Sequence, residues 1–173
     1  MILSILLLTA VTLERLGEIW IARRNTRALL ASGAYEIAAS HYPAIVILHA
    51  TWLMGLWLVA WNAPLYIGWV GVFAGLQALR LWTLSTLGRR WTTRIIVMPG
   101  EALVSTGPYR FLRHPNYLVV VGEIAVLPMC FGMPIYATSF SIANALVLTI
   151  RIRAETDALA SSNARSVRSS LRS

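Results

Sequence analysis

Lysine is absent from this chain. All fifteen basic residues are arginine, so no side-chain amine is available to form a Schiff base with a carbonyl substrate. Cysteine occurs once, at Cys130, which excludes an intrachain disulfide and any metal site built from clustered thiolates. The three histidines, His41, His49 and His114, are scattered and show no metal-ligand spacing. Charge is scarce as well, at 13% of residues against about 25% in soluble domains. With 57% hydrophobic residues and a mean hydropathy of +0.65, too little polar surface remains to coat a water-soluble body. Lipid must be part of the solvent.

What is present is a series of apolar runs separated by arginine. A spanning helix needs about 20 mostly apolar residues. Spans are expected at about 2–21, 43–61, 65–87, 117–131 and 134–150. The first thirteen residues lack a basic start and a small-residue cleavage site, so they read as part of a retained helix. Asn62-Ala-Pro64 is a tight turn between the second and third spans. The fourth span is short, about 22 Å at the helical rise, and must tilt, begin earlier or thin the bilayer. Residues 88–116 form the one long polar connection, and a Ser/Arg-rich tail, 160–173, reads as disordered. The expected fold is an all-α integral membrane protein with about five transmembrane helices, in a single domain over 1–159.

Orientation follows from the arginines. With the N-terminus outside, residues 22–42, 88–116 and 151–173 lie on the cytoplasmic side, and the outer turns contain no arginine, which satisfies the positive-inside rule. The net charge of +8 then fits an anionic membrane surface rather than nucleic acid. Trp61, Tyr66 and Trp69 are expected near the outer boundary, and Trp20, Trp82 and Trp91 near the inner one, as an aromatic belt.

Ionisable residues inside spans face a polar interior or pair with one another. Glu14 and Glu18 share a helical face and can pair with Arg80 or act in catalysis. Glu123, inside the fourth span, needs a partner such as Arg80 or Arg151, and is either a structural pair or a site-lining residue. His49, one turn from Trp52 in the second span, is a packing residue or a functional one. The strongest local pattern is Gly107-Pro-Tyr-Arg-Phe-Leu-Arg-His-Pro-Asn-Tyr117. Pro108 and Pro115 stiffen the backbone around Arg110, Arg113 and His114, and Asn116 and Tyr117 then open a helix whose free N–H groups favour an anionic group. This is a rigid polar shelf at the membrane surface, suited to a polar ligand. A second pattern, Arg151-Ile-Arg-Ala-Glu155, puts Arg151 and Glu155 on one helical face and points Arg153 elsewhere. There an arginine could grip a carboxylate and Glu155 an ammonium.

GPYRFLRHPNYL, an apolar hairpin and then RIRAE resemble the isoprenylcysteine carboxyl methyltransferase family of membrane enzymes. The front end, ERLGEIWIARRNTRALLASGAYE, looks like the bacterial branch often found beside type III polyketide synthases. The resemblance runs to about Leu159. Many relatives carry two adjacent acidic residues where this chain has Glu155-Thr156, and they continue into a longer aromatic and basic C-terminal segment. The resemblance implies S-adenosylmethionine as cofactor, with S-adenosylhomocysteine as product, and a lipophilic small-molecule or lipidated acceptor entering from the bilayer. It implies cofactor contacts from Val104, Gly107, Tyr109, Arg110, His114, Pro115 and Tyr117, with Glu155 holding the cofactor ammonium. Arg151, Arg153 and Glu123 are the catalytic candidates: an arginine to position a carboxylate acceptor, or Glu123, His49 or Glu18 to assist a hydroxyl one. By analogy the acceptor is an alkylpyrone or alkylresorcinol, methylated at the cytoplasmic side of a bacterial inner membrane. Phospholipid or amine N-methylation, a sterol-reductase-like enzyme and a non-catalytic scaffold are the alternatives.

Overall fold

A backbone crossing lipid must satisfy its own N–H and C=O groups, and the apolar runs of this chain do so as helices. The computed structural model describes residues 1–37, 42–102 and 104–170, with side chains as far as Arg153. Its helices are α1 (Ile2–Ala31), α2 (Tyr42–Ala60), α3 (Ile67–Leu87), α4 (Pro115–Cys130) and α5 (Pro134–Ser170). Three of them are long and apolar enough to cross a membrane: α2, α3 continued to Arg90, and α5 as far as Arg153. α4 is apolar but shorter, and α1 carries Glu14, Arg15 and Glu18 along its length. The outside of the bundle is apolar: Leu58 is 77% exposed and Ile135 83%, as befits helices whose solvent is lipid.

All five apolar runs sit where the sequence places them, with three differences. α1 does not end at residue 21. It continues as helix through Ala31, because Arg23, Arg24, Arg27 and the residues between them are compatible with a helix, and nothing breaks it before Gly33 at φ +94°. α5 likewise runs on to Ser170, past the 134–150 expected of the span and into the stretch read as a polar tail, 160–173. No proline or glycine follows Pro134 to stop the helix. Residues 171–173 lie outside the described ones.

The third difference is a small antiparallel sheet, β1 (Tyr35–Ile37) with β2 (Ile95–Val97), in which Glu36 pairs with Ile96. It joins the loop after α1 to the loop after α3, on the same end of the bundle. Ile95, Ile96 and Val97 favour a strand wherever no lipid demands a helix. Arg94 reaches across to Glu36 at 2.8 Å, and that hydrogen bond raises the Arg94 pKa above its ordinary value. α5 packs against both strands. This loop-bearing end carries the 88–114 connection; the opposite end carries only the short turns around Asn62 and Gly132.

The core is one apolar layer, with Leu8 and Val11 from α1, Trp52 and Leu56 from α2, Phe73 from α3, and Ile124 and Leu127 from α4. Tyr136 ties α5 to α2 by donating to the Trp52 carbonyl at 2.7 Å. At the short-turn end, Gly132 sits at φ +71°, where a Cβ would lie 2.6 Å from the Tyr66 ring. Only glycine meets both demands. Gly132→Ala is therefore expected to destabilise the purified protein by about 1–2 kcal/mol, seen as a lower Tm in detergent. Gly71→Ala, with nothing near its would-be Cβ, is expected to leave Tm unchanged or raise it.

Candidate functional site

Next to the apolar layer, toward the loop-bearing end, α1, α3 and α4 carry a layer of charge. Arg80 on α3 reaches Glu123 on α4 at 2.8 Å and Glu14 at 3.8 Å, and it pairs closely with Glu18 through its Nε and Nη2. Arg15 reaches Glu18 at 3.0 Å, Glu123 at 3.1 Å and Glu14 at 3.4 Å. Glu18, Arg80 and Glu123 are all buried. The pairing of Glu14 and Glu18 with Arg80 is the one expected from the sequence. Of the two partners considered for Glu123, Arg80 is present and Arg151 is not. Arg15 joins as a second, a role its place beside two acids in α1 gives little sign of. Both oxygens of Glu123 are engaged by guanidinium groups, so it belongs to this layer rather than to the shelf.

Nearer the loop-bearing end the connection is fastened to the helix ends. Asn25 on α1 donates to the carbonyls of Gly88 at 3.1 Å and Trp91 at 2.9 Å, satisfying acceptors where α3 ends. Trp91, expected at the membrane boundary, is instead buried beneath this junction. The other belt residues, Trp20, Trp61, Tyr66, Trp69 and Trp82, are exposed as expected. Arg90 holds the turn after β2 through Glu101 at 2.9 Å and the Ala102 carbonyl at 2.8 Å.

The chain then enters the 3-10 turn Gly107–Arg110. Gly107 has φ +58°, and a Cβ on it would collide with Thr86 of α3, so a side chain there would push the shelf off α3. Pro108 is fully buried, and its carbonyl accepts from the N–H of Phe111 at 3.1 Å and of Leu112 at 3.0 Å. α4 begins with His114 as N-cap residue and Pro115 at its first position, where the missing N–H costs nothing.

The shelf and α5 meet at one point. The rings of His114 and Tyr117 stack at 5.3 Å between centroids, and Arg151 Nε donates to the Tyr117 hydroxyl at 3.2 Å. The Arg151 guanidinium lies 5.9 Å from the Tyr117 ring. His114, Arg110 and Arg153 are exposed, Val104, Tyr109, Tyr117 and Arg151 are half-buried, and Pro115 is buried. The structure thus brings together His114, Tyr117 and Arg151 from two distant stretches of sequence. The Glu155 side chain lies outside the described residues.

Residues 69–161 match the isoprenylcysteine carboxyl methyltransferase (ICMT) family. The chain belongs to this family. The matched stretch contains α3 from Trp69 on, the whole connection, α4 and the membrane part of α5, so it takes in the elements that build the shelf. The family is one of membrane-bound methyltransferases, which agrees with the apolar helices. The chain is 38% identical to the uncharacterized protein YpbQ of Bacillus subtilis over 159 residues, 89% of this chain and 95% of that one. It is 23% identical to an uncharacterized protein of Haemophilus influenzae, over 84% of this chain and 88% of the relative. No solved structure gives a significant match.

Replacing Arg80 with leucine would leave Glu18 and Glu123 short of a countercharge in a buried layer. Arg80→Leu is expected to cost about 3–5 kcal/mol, measured by chemical unfolding in detergent. Arg94→Ala, which opens an exposed pair, should cost far less.

Proposed function

We propose that the chain is an S-adenosylmethionine-dependent O-methyltransferase whose lipophilic acceptor reaches it from the bilayer. The observation that carries this reading is the contact of Arg151 with Tyr117. It joins the two motifs of the family resemblance into one cationic, aromatic site beside the exposed His114. In the proposed orientation the N-terminus is outside and the loop-bearing end faces the cytoplasm, in a bacterial inner membrane.

The described residues fit such a cofactor. The Arg110 and Arg151 guanidinium groups and the α4 N-terminus suit its carboxylate. The His114–Tyr117 stack offers a face for its adenine ring, and the family resemblance assigns it further contacts from the backbone of Val104 and Gly107 and from Tyr109. Glu155 is assigned to its ammonium group. S-adenosylmethionine supplies a methyl group on a sulfonium centre. The chain's part is then to align the acceptor oxygen and to exclude water around it.

Pro108 and Pro115 fix the shelf, and the ion layer fixes the helices beneath it, so alignment rests on rigid elements. For a carboxylate acceptor, Arg151 or Arg153 is the positioning cation. For a hydroxyl acceptor of the alkylpyrone or alkylresorcinol kind, favoured by analogy, a proton must also be taken up. Glu123, already held by two guanidinium groups, serves in this reading to position α4 rather than to act on the acceptor.

Calorimetric titration of the detergent-purified protein with S-adenosylhomocysteine, with NADPH as control, tests the reading. Saturable binding of the first alone is the expected outcome; binding of NADPH alone would point to a reductase. His114→Ala and Glu155→Ala should each weaken S-adenosylhomocysteine binding without loss of membrane insertion. Tyr117→Phe, which removes the acceptor of the Arg151 hydrogen bond, should weaken it by about tenfold.

A further inference from the structure

α1 outlasts its apolar stretch by about three turns, and the added turns carry three arginines. Trp20, Arg23, Arg24 and Arg27 stand at i, i+3, i+4 and i+7 of this helix, which puts them on one face. That face points away from the bundle. All four residues are exposed, whereas Ala22, Asn25 and Thr26 among them are buried. On the membrane side of Trp20 the same face continues as Leu16 and Leu13, 57% and 63% exposed. An apolar ridge thus passes through an indole into three guanidinium groups.

Nothing in the chain neutralises those groups. Arg15, Arg80, Arg90 and Arg94 each lie against a carboxylate. Among the described residues, Arg23, Arg24 and Arg27 do not. Arg23 and Arg27 are four residues apart and Arg24 and Arg27 three, spacings at which like charges repel along a helix. An anion held between them removes that cost. Arg24 is already oriented, with its guanidinium 5.5 Å from the centroid of the Trp20 ring, a cation–π contact. Because α1 stays helical to Ala31, the three cations keep fixed positions instead of spreading along a loose connection.

The face also selects its occupant. Guanidinium groups grip phosphate oxygens in pairs, an indole favours the depth of lipid headgroups, and the leucine ridge offers a surface to acyl chains. A free phosphate would use the arginines and leave the ridge idle. We propose that this face binds one anionic phospholipid from the leaflet at the loop-bearing end. Arg23, Arg24 and Arg27 hold its phosphate, and its acyl chains lie along Trp20, Leu16 and Leu13. The site uses no residue of the Tyr117–Arg151 contact and does not depend on the methyltransferase reading. On the inner face of the same turn, Asn25 donates to the carbonyls of Gly88 and Trp91. A lipid held outside therefore steadies the turn that fastens the 88–114 connection.

Native mass spectrometry of the full chain in detergent tests this, with phosphatidylglycerol and phosphatidylcholine of identical acyl chains as the probes. The native chain is expected to bind one phosphatidylglycerol at least about tenfold more tightly than phosphatidylcholine. The preference should vanish in Arg23→Gln/Arg24→Gln/Arg27→Gln, and fall in Arg27→Gln alone should the triple variant not fold. Arg89→Gln removes an exposed cation at the same end, on the turn that meets the inner face of α1, and should keep the preference. Millimolar inorganic phosphate should leave the bound lipid in place. Equal affinity of the native chain for the two lipids, or a preference that survives in the arginine variants, would overturn the site. An equal loss in Arg89→Gln would replace it with diffuse charge, and displacement by inorganic phosphate would replace the lipid with a free anion.

Discussion

Charge in a lipid-solvated bundle must be paired, and in this molecule the pairing is done in one layer by Arg15 and Arg80 against Glu14, Glu18 and Glu123. No single helix carries a balanced set: α1 supplies two carboxylates and one guanidinium, α3 a guanidinium and α4 a carboxylate. A helix that slid by one turn would strand at least one charge. Such a layer adds little net stability over an apolar one of the same shape, but its disruption is costly. It acts as a register pin for three helices, and the geometry of the shelf inherits that register.

The shelf depends on the pin in a direct way. Just past the end of α3, Asn25 of α1 donates to the carbonyls of Gly88 and Trp91, and Gly107 rests on Thr86 of α3. α4 starts at His114 and Pro115, and its position along α3 is set by the Arg80–Glu123 pair. α5 returns through the tight turn at Gly132 and meets Tyr117 with Arg151. Rigid helices thus aim two short motifs, 34 residues apart in sequence, at one point. That arrangement suits a reaction in which alignment supplies much of the rate.

Much of this was legible in the sequence because lipid leaves few options. Uninterrupted apolar runs had to be helices, and the arginines had to gather at one end. The pairing of Glu14 and Glu18 with Arg80 followed from the cost of an unpaired carboxylate in a span. What could not be read was long-range geometry. Nothing local assigns Arg15 to Glu123, 108 residues away, or pairs Tyr35–Ile37 with Ile95–Val97. Trp91 looked like a boundary residue because its neighbours are polar; only the position of Asn25 over the end of α3 buries it. The shelf residues were visible as a motif, whereas the meeting of Tyr117 with Arg151 needed the hairpin between them.

The most direct test of the account is photochemical cross-linking of radiolabelled S-adenosylmethionine to the native membrane protein, followed by peptide mapping. The account predicts label in the 107–117 stretch or in the segment that begins at Arg151, and its loss when S-adenosylhomocysteine competes. Label confined to α1, α2 or the short-turn end, or label that S-adenosylhomocysteine does not displace, would contradict it.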